Sequence, residues 1–322
     1  MTIAGEMALI LVTGANGFVG HALCKRLNAE GRSFAKVVRR IASLSEIVVG
    51  EIGSETDWRG ALDGCESVVH LAARVHIMHD DAMDPLADFR RVNVEGTINL
   101  ARQAAQAGVR RFVFLSSIKV NGELGRFYGV DQASPQDPYA ISKLEAEQGL
   151  HQIAAETGME VVVLRPPLVY GPGVGANFLR LMRAVDQGLP LPFGLVDNCR
   201  SLIYLGNLVD AISVCLNHPA AVGKTYHVSD GEDVSTRELV RRLAKALQRP
   251  SRLIPVPKGF MKFCGRMLGK KQEMDRLLGS LTVDISPISS GLGWMPPFSM
   301  REGLAHTANW YHQNKPHVET SI

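Results

Sequence analysis

The chain has 322 residues, 46% of them hydrophobic and 21% charged, enough apolar material for one large α/β unit or two modest domains with a full core. A net charge of +3 with no run of Lys and Arg argues against a nucleic-acid partner, and no apolar stretch approaches the ~20 residues of a membrane span. Met1 to Met7 lacks a basic segment followed by an apolar core, and the five cysteines form no C-x-x-C pair, so a cytoplasmic protein with reduced thiols is expected.

Residues 8–13 form a continuous apolar run of buried-strand type, followed at once by Gly14-Ala15-Asn16-Gly17-Phe18-Val19-Gly20. Phe18, Val19, Ala22, Leu23 and Leu27 then recur at helical spacing, which predicts a helix over 17–30. Glycines between a strand and a helix permit a tight turn, leaving backbone amides at the helix start to meet the pyrophosphate of a dinucleotide. The spacing Gly14-x-x-Gly17-x-x-Gly20 differs from the commoner G-x-G-x-x-G. Further strands are predicted at 34–38, 46–49, 67–71, 111–116 and 161–165, and helices at 57–63, 85–107 and 138–156. Such alternation implies an α/β fold with a Rossmann-like doubly wound parallel sheet. From residue 166 the chain has more Pro and Gly and shorter apolar runs, with a helix at 235–247 after Ser235. A dinucleotide-binding domain over 1–165 and a smaller substrate-binding domain over 166–322 are expected, some segments of the latter returning to the first sheet. Gly259 to Leu281, with Met261, Phe263, Met267, Leu268, Met274 and Leu278, suggests an amphipathic helix pair. Core or lid packing is its first reading and a membrane surface the second.

Pro138 precedes Tyr139 and Lys143, which share a helix face at i and i+4; Asp137 is placed to cap that helix. A neighbouring cation favours phenolate and draws a group that ordinarily titrates near ~10 toward working pH. With Ser116-Ser117 ending the strand before it, this is a pattern for moving a proton on an alcohol or ketone beside a nicotinamide. An NAD site usually has an acidic residue ~20 positions after the glycine turn. None occurs from Gly31 through Ser45, and Arg39-Arg40 stands there instead, so NADP(H) is favoured over NAD(H). His76-x-x-His79-Asp80-Asp81 lacks a distant partner set, and no metal is expected. His70, ending a buried run, is expected to be a satisfied core histidine.

The glycine turn, His70-Leu71-Ala72-Ala73, Asn93-Val94-Glu95-Gly96-Thr97, Ser116-Ser117, Tyr139 to Lys143 and Arg165-Pro166-Pro167-Leu168-Val169-Tyr170-Gly171-Pro172-Gly173 follow one another in a fixed order. In this the chain resembles the extended short-chain dehydrogenase/reductase family, in its nucleotide-sugar epimerase, dehydratase and reductase branch. The resemblance implies that Tyr139 is the acid/base, Lys143 lowers its pKa and holds the nicotinamide ribose, and Ser117 orients the substrate oxygen. It implies cofactor contacts from Gly14, Asn16, Gly17, Phe18, Val19, Arg39, Arg40, Leu71, Ala72, Ala73, Asn93, Ser116, Pro166 and Val169, besides Tyr139 and Lys143. Substrate contacts would come from Arg74, Ser117, Lys119, Asn177 and Arg200, the last two at the diphosphate.

Family dehydratases carry Asp-Glu after the catalytic Ser/Thr; here Ile118-Lys119 occupies those places, which argues against a 4,6-dehydratase. Asn121 and Leu168 replace the Tyr and Asn often found in the corresponding motifs. The resemblance, with Arg39-Arg40, favours reduction of a UDP-4-keto-6-deoxy-N-acetylhexosamine to UDP-N-acetylquinovosamine or its fucosamine isomer, for polysaccharide synthesis. The alternative is a UDP-hexose or UDP-N-acetylhexosamine 4-epimerase that retains NAD. Two further readings are a reductase of apolar ketones, opposed by Asn177 and Arg200, and a non-catalytic cofactor sensor, opposed by the intact Tyr/Lys pair. Helices 85–107 and 138–156 match those that pair in family dimers, so a homodimer is expected.

Overall fold

A computed structural model describes residues 9–40, 46–75, 84–128 and 133–319. The first half runs β1 (Leu9–Thr13), α1 (Phe18–Ala29), β2 (Phe34–Val38), β3 (Glu46–Val48), α2 (Arg59–Leu62), β4 (Cys65–His70), α3 (Pro85–Arg90), α4 (Gly96–Gln106), β5 (Arg111–Leu115), β6 (Gly125–Phe127), α5 (Pro138–Thr157) and β7 (Glu160–Arg165). The second half runs β8 (Leu168–Tyr170), α6 (Ala176–Asp186), β9 (Arg200–Tyr204), α7 (Leu205–Asn217), β10 (Thr225–His227), β11 (Asp233–Val234), α8 (Thr236–Ala246), α9 (Lys258–Met267), α10 (Lys271–Leu278), β12 (Leu281–Val283), α11 (Ser286–Leu292) and α12 (Met300–Glu319).

Seven parallel strands form the main sheet in the order β10-β7-β5-β4-β1-β2-β3. Helices cover both faces, so the central strands are apolar throughout instead of alternating. One layer of core joins α1, α7 and α11 to the sheet through Leu23, Leu27, Leu208, Ile212 and Ile288. The opposite layer joins α2, α4 and α5 through Leu62, Leu100, Ala104, Ala146 and Leu150. The chain winds outward in both directions from β1 and β4, and the crevice at their carboxyl ends is where open α/β sheets bind ligands. A smaller sheet holds β11-β9-β12-β6, with β8 paired to β9. Strand membership crosses residue 165 both ways: β10 joins the main sheet beside β7, while β6 joins the small one.

Where a single helix over 85–107 is expected, α3 and α4 are separated by a π-turn at Arg91–Glu95. Asn93, fully buried within it, accepts a hydrogen bond from the Arg74 amide at 2.8 Å and donates to the Arg74 carbonyl and the Ser142 hydroxyl, each at 3.0 Å. The bulge spends helical regularity to satisfy the backbone of the segment leaving β4, a use common near functional sites. Gly96 follows it because an added Cβ would lie 2.5 Å from Ile52 Cγ2.

Candidate active site

The turn after β1 is locked to the end of β4. Thr13 Oγ1 accepts from the Leu71 and Ala72 amides, each at 3.2 Å, and lies 2.7 Å from His70 Nδ1. Gly14 takes φ +65°, and a Cβ there would stand 2.8 Å from the Ala72 amide nitrogen. A Cβ on Gly20 would collide with the Gly14 carbonyl. The Gly17 amide donates to that carbonyl at 2.9 Å, and Gly17 begins α1 with no side-chain cap and no acidic residue in the first turn. The amides at this helix start are therefore left for an external anion, which the helix dipole favours. These features fit a dinucleotide pyrophosphate, and Leu71, Ala72 and Ala73 leave β4 beside it, partly buried. His70 is the satisfied core histidine expected: its other nitrogen lies 2.9 Å from Thr97 Oγ1. Burial, with the Lys143 charge nearby, pushes its pKa down to about 3.

Asn16, Arg39, Arg40 and Glu51 line one cleft beside the glycine turn. Arg39 lies 3.6 Å from the Glu51 carboxylate, and both are exposed. Searching only to Ser45 misses this acid. Glu51 arrives on the segment after β3, whose Val48 is paired in register with Val38 of β2.

Helix α5 begins as its sequence predicts, with Asp137 Oδ1 accepting from the Ala140 amide at 2.7 Å and Pro138 in the first turn. Lys143 Nζ donates to the Leu115 carbonyl at 2.9 Å and sits 4.4 Å from the centre of the Phe114 ring. Burial lowers its pKa to about 7, against the Glu147 carboxylate, which raises it. Tyr139 meets the Phe89 ring edge-on at 6.0 Å between centroids. Here one expectation fails: burial, reinforced by the charge of Asp137, raises the Tyr139 pKa well above the ordinary phenol range. Desolvation of the phenolate is the larger cause, and Lys143, one turn away, directs its hydrogen bond to the Leu115 carbonyl. Ser117 Oγ accepts from the Lys119 amide at 3.2 Å and caps a short 3-10 turn at Ile118–Val120. The Ile118 amide donates to the buried Pro166 carbonyl at 3.0 Å, and Val169 in β8 pairs with Ile203. Phe18 and Val19 pack partly buried against the core at the start of α1.

Behind these groups lies a buried polar network that the sequence motifs do not reveal. Glu147, two turns past Tyr139, accepts from Ser116 Oγ and from Arg165 Nε and Nη2, the latter two at 3.0 and 2.5 Å. Arg165 Nη1 donates to Asn121 Oδ1 at 3.0 Å, which is also 3.0 Å from His227 Nε2. Ser116 thus faces Glu147 rather than the crevice. The spacing Tyr139, Lys143, Glu147 puts all three on one helix face and was the available signal.

The substrate-side residues are less gathered than their sequence positions suggest. Arg74 lies 3.5 Å from Asp88 and packs over Phe89. Lys119 Nζ donates to Asp137 at 2.6 Å, with Glu123 at 3.7 Å. Burial works against the Asp137 charge, but the Lys119 bond, the Ala140 amide and Arg276 outweigh it and lower its pKa. Asn177 is exposed at the start of α6, 3.5 Å from Arg180 Nη1. Arg200 Nη1 is already spent on backbone, donating to the carbonyls of Arg276 and Gly279 at 2.8 and 3.3 Å. The guanidinium of Arg276, on α10, instead reaches Glu123 at 2.5 Å and Asp137 at 4.0 Å, at the rim beside α5. Sequence reasoning passed over Arg276 because α10 carries no motif. Among the described residues no group of three or more His, Cys, Asp or Glu side chains could hold a metal ion; His76, His79, Asp80 and Asp81 lie outside those residues.

A pyrophosphate-ready glycine turn at the switch point of a parallel sheet, with a Tyr/Lys pair on the helix packed against β5, defines a Rossmann-fold short-chain dehydrogenase/reductase. Residues 10–229 match the NAD dependent epimerase/dehydratase family, and the chain belongs to it. It is 47% identical over 314 residues to a UDP-glucose 4-epimerase of Vibrio cholerae, covering 94% of this chain and 95% of that one. It is 28% identical to the N-acetyl-alpha-D-glucosaminyl-diphospho-ditrans,octacis-undecaprenol 4-epimerase of Escherichia coli O157:H7, over 94% of each chain. Among solved structures, MoeE5 in complex with UDP-glucose and NAD superposes with a TM-score of 0.77 at 29% identity, over 95% of this chain and 99% of that one.

Proposed function

We propose that the protein epimerises a UDP-sugar at C4, with NAD(H) as the cofactor. The observation that carries this is the end-to-end likeness to a UDP-glucose 4-epimerase in a chain that keeps Ser117, Tyr139 and Lys143. The nicotinamide, when bound, supplies the hydride acceptor and donor. Tyr139 takes the proton from the sugar O4 and, once the C4 ketone has turned over in the site so that its other face receives the hydride, returns that proton to the same oxygen, with Ser117 hydrogen-bonding it. Lys143, charged in part near neutral pH, holds the ribose and offsets part of the desolvation that keeps Tyr139 protonated. Arg276 offers a cationic group to the diphosphate and Asn177 an amide, while Arg200, bound to the carbonyls of Arg276 and Gly279, holds the end of α10 that carries Arg276.

NAD(H) is preferred to the NADP(H) suggested by Arg39-Arg40 for a physical reason. Glu51 lies in the same cleft, where its carboxylate repels a 2′-phosphate and can accept from ribose hydroxyls. The second reading, NADPH-dependent reduction of a 4-keto sugar nucleotide, is favoured by those same exposed arginines.

Incubation with UDP-glucose, UDP-GlcNAc and a UDP-4-keto-6-deoxy-GlcNAc, each with NAD(H) or NADP(H), tests the proposal by product analysis and nicotinamide absorbance. Inversion at C4 without net cofactor loss is expected. Stoichiometric NADPH consumption with the keto sugar alone replaces epimerase by reductase, and absence of both outcomes refutes catalysis.

A further inference from the structure

The helix pair α9–α10 has a face that the rest of the chain leaves uncovered. Met261 and Gly265 turn inward, Met261 joining Val196 and Leu278 in a small core cluster. A Cβ on Gly265 would stand 2.9 Å from Met274 Cβ, so this close helix–helix contact needs a glycine. On the outer side Phe260, Phe263, Met267 and Leu268 are 60%, 59%, 74% and 73% exposed. Core or lid packing, the first expectation for Phe263, Met267 and Leu268, is therefore not what these residues do. Phe260, Phe263 and Met267 lie at i, i+3 and i+7, one apolar stripe along α9.

The charge around this stripe is mostly positive, with Lys258 paired to Asp197, Lys262 to Asp275 and Arg276 to Glu123. Residues 258–278 contain Lys258, Lys262, Arg266, Lys270, Lys271 and Arg276 against only Glu273 and Asp275. That surplus of four positive charges exceeds the +3 of the whole chain, so the remainder is slightly acidic. Lys262 and Arg266 follow one another at i and i+4 beside Phe263, and Lys270 and Lys271 stand just past Leu268.

We propose that this face docks onto a bilayer of anionic lipid, with the aromatic and thioether side chains entering the headgroup boundary and the cations meeting lipid phosphates. Aromatic and long apolar side chains bordered by Lys and Arg are the composition of an interfacial helix. A second copy of the chain fits less well, because stacking two such faces opposes two cationic surfaces. The docked hairpin would hold the rim of the site at the membrane, since Arg276 of α10 touches Glu123 and Asp137 there.

Co-sedimentation of the full chain with phosphatidylglycerol vesicles, and with phosphatidylcholine vesicles as control, tests this without reference to any activity. Binding to the anionic vesicles, weakened by raised salt and much weaker on the neutral ones, is expected. The double variant Phe263→Ser/Met267→Ser should lose at least about tenfold of that binding, with unchanged far-ultraviolet dichroism because both side chains are exposed. Lys270→Gln/Lys271→Gln should weaken it on the order of tenfold and reduce its salt sensitivity. Failure to bind phosphatidylglycerol, or binding that both variants leave intact, overturns the proposal. So does a concentration-dependent dimer abolished by Phe263→Ser/Met267→Ser in a chain that ignores vesicles, which would assign the face to a second copy.

Discussion

Helix α5 carries two clusters of charge whose side chains are of the same kinds and whose surroundings are not. At its start, Asp137 gathers Lys119 and Arg276, with Glu123 alongside, at a rim where the two cations keep 31% and 35% of their side chains exposed but the two carboxylates only 15% and 12%. Nearly three turns on, Glu147 gathers Arg165 and Ser116 in the interior, with 11% of the Arg165 side chain and 3% of that of Glu147 exposed. Water reaches the cations of the first cluster and screens them in part. The second has no such substitute, because each member left alone would be a buried, unpaired charge. Tyr139 and Lys143 lie between them. The rim keeps its cations in contact with water, while the interior cluster ties α5 to the ends of β5 and β7.

The contrast can be broken in order of effect. Tyr139→Phe removes the proton carrier but neither cluster; turnover should fall by roughly 10²–10⁴-fold with nicotinamide binding retained, as isothermal titration would show. Glu147→Gln should cost about 3–5 kcal/mol in denaturant unfolding because Arg165 loses its counter-charge indoors. The same change withdraws the charge that raises the Lys143 pKa, so the Lys143-dependent limb of the pH–rate profile should move to lower pH.

Lys143 itself supplies a gentler test. Its ordinary value is 10.5 and its folded value about 7, so above pH 7 the unfolded chain binds the extra proton. Stability should therefore rise with pH from 7 toward 9, by up to about 1 kcal/mol per pH unit from this group. Lys143→Met should remove that increment, visible as a flatter dependence of the denaturation midpoint on pH. An unchanged slope would mean the lysine is charged throughout. Smallest of all, Arg276→Gln at the rim should change stability by no more than about 1 kcal/mol, and by less in high salt. A loss as large as that of Glu147→Gln would erase the distinction between the clusters.

Much of this was legible in the chain itself. Six of the seven strands of the main sheet, all but β10, with the glycine turn and the cap at Asp137, follow from apolar runs, periodicity and capping chemistry, which are local and written in consecutive residues. The long helix predicted over 85–107 was not interrupted on paper, because the π-turn answers a need of Arg74, distant in sequence. Local patterning also placed Tyr139 and Lys143 on one helix face, since i and i+4 are short-range geometry.

Residues that meet only through folding were hidden. Glu51 reaches Arg39 because parallel pairing of β2 and β3 brings their following segments together. Arg200, matched by position to a phosphate role, turns to backbone carbonyls at the end of α10. The pKa of Tyr139 was argued from a neighbouring charge, while burial, which only packing decides, set its direction. The exposure of α9 was equally undecidable from its amphipathic pattern, since periodicity names a face without saying what covers it. Sequence by itself determined the elements and the chemistry they can carry, because backbone preference and side-chain type act over a few residues. Tertiary structure alone decided which charges lose water and which polar groups find partners, because those energies depend on everything packed within a few ångströms.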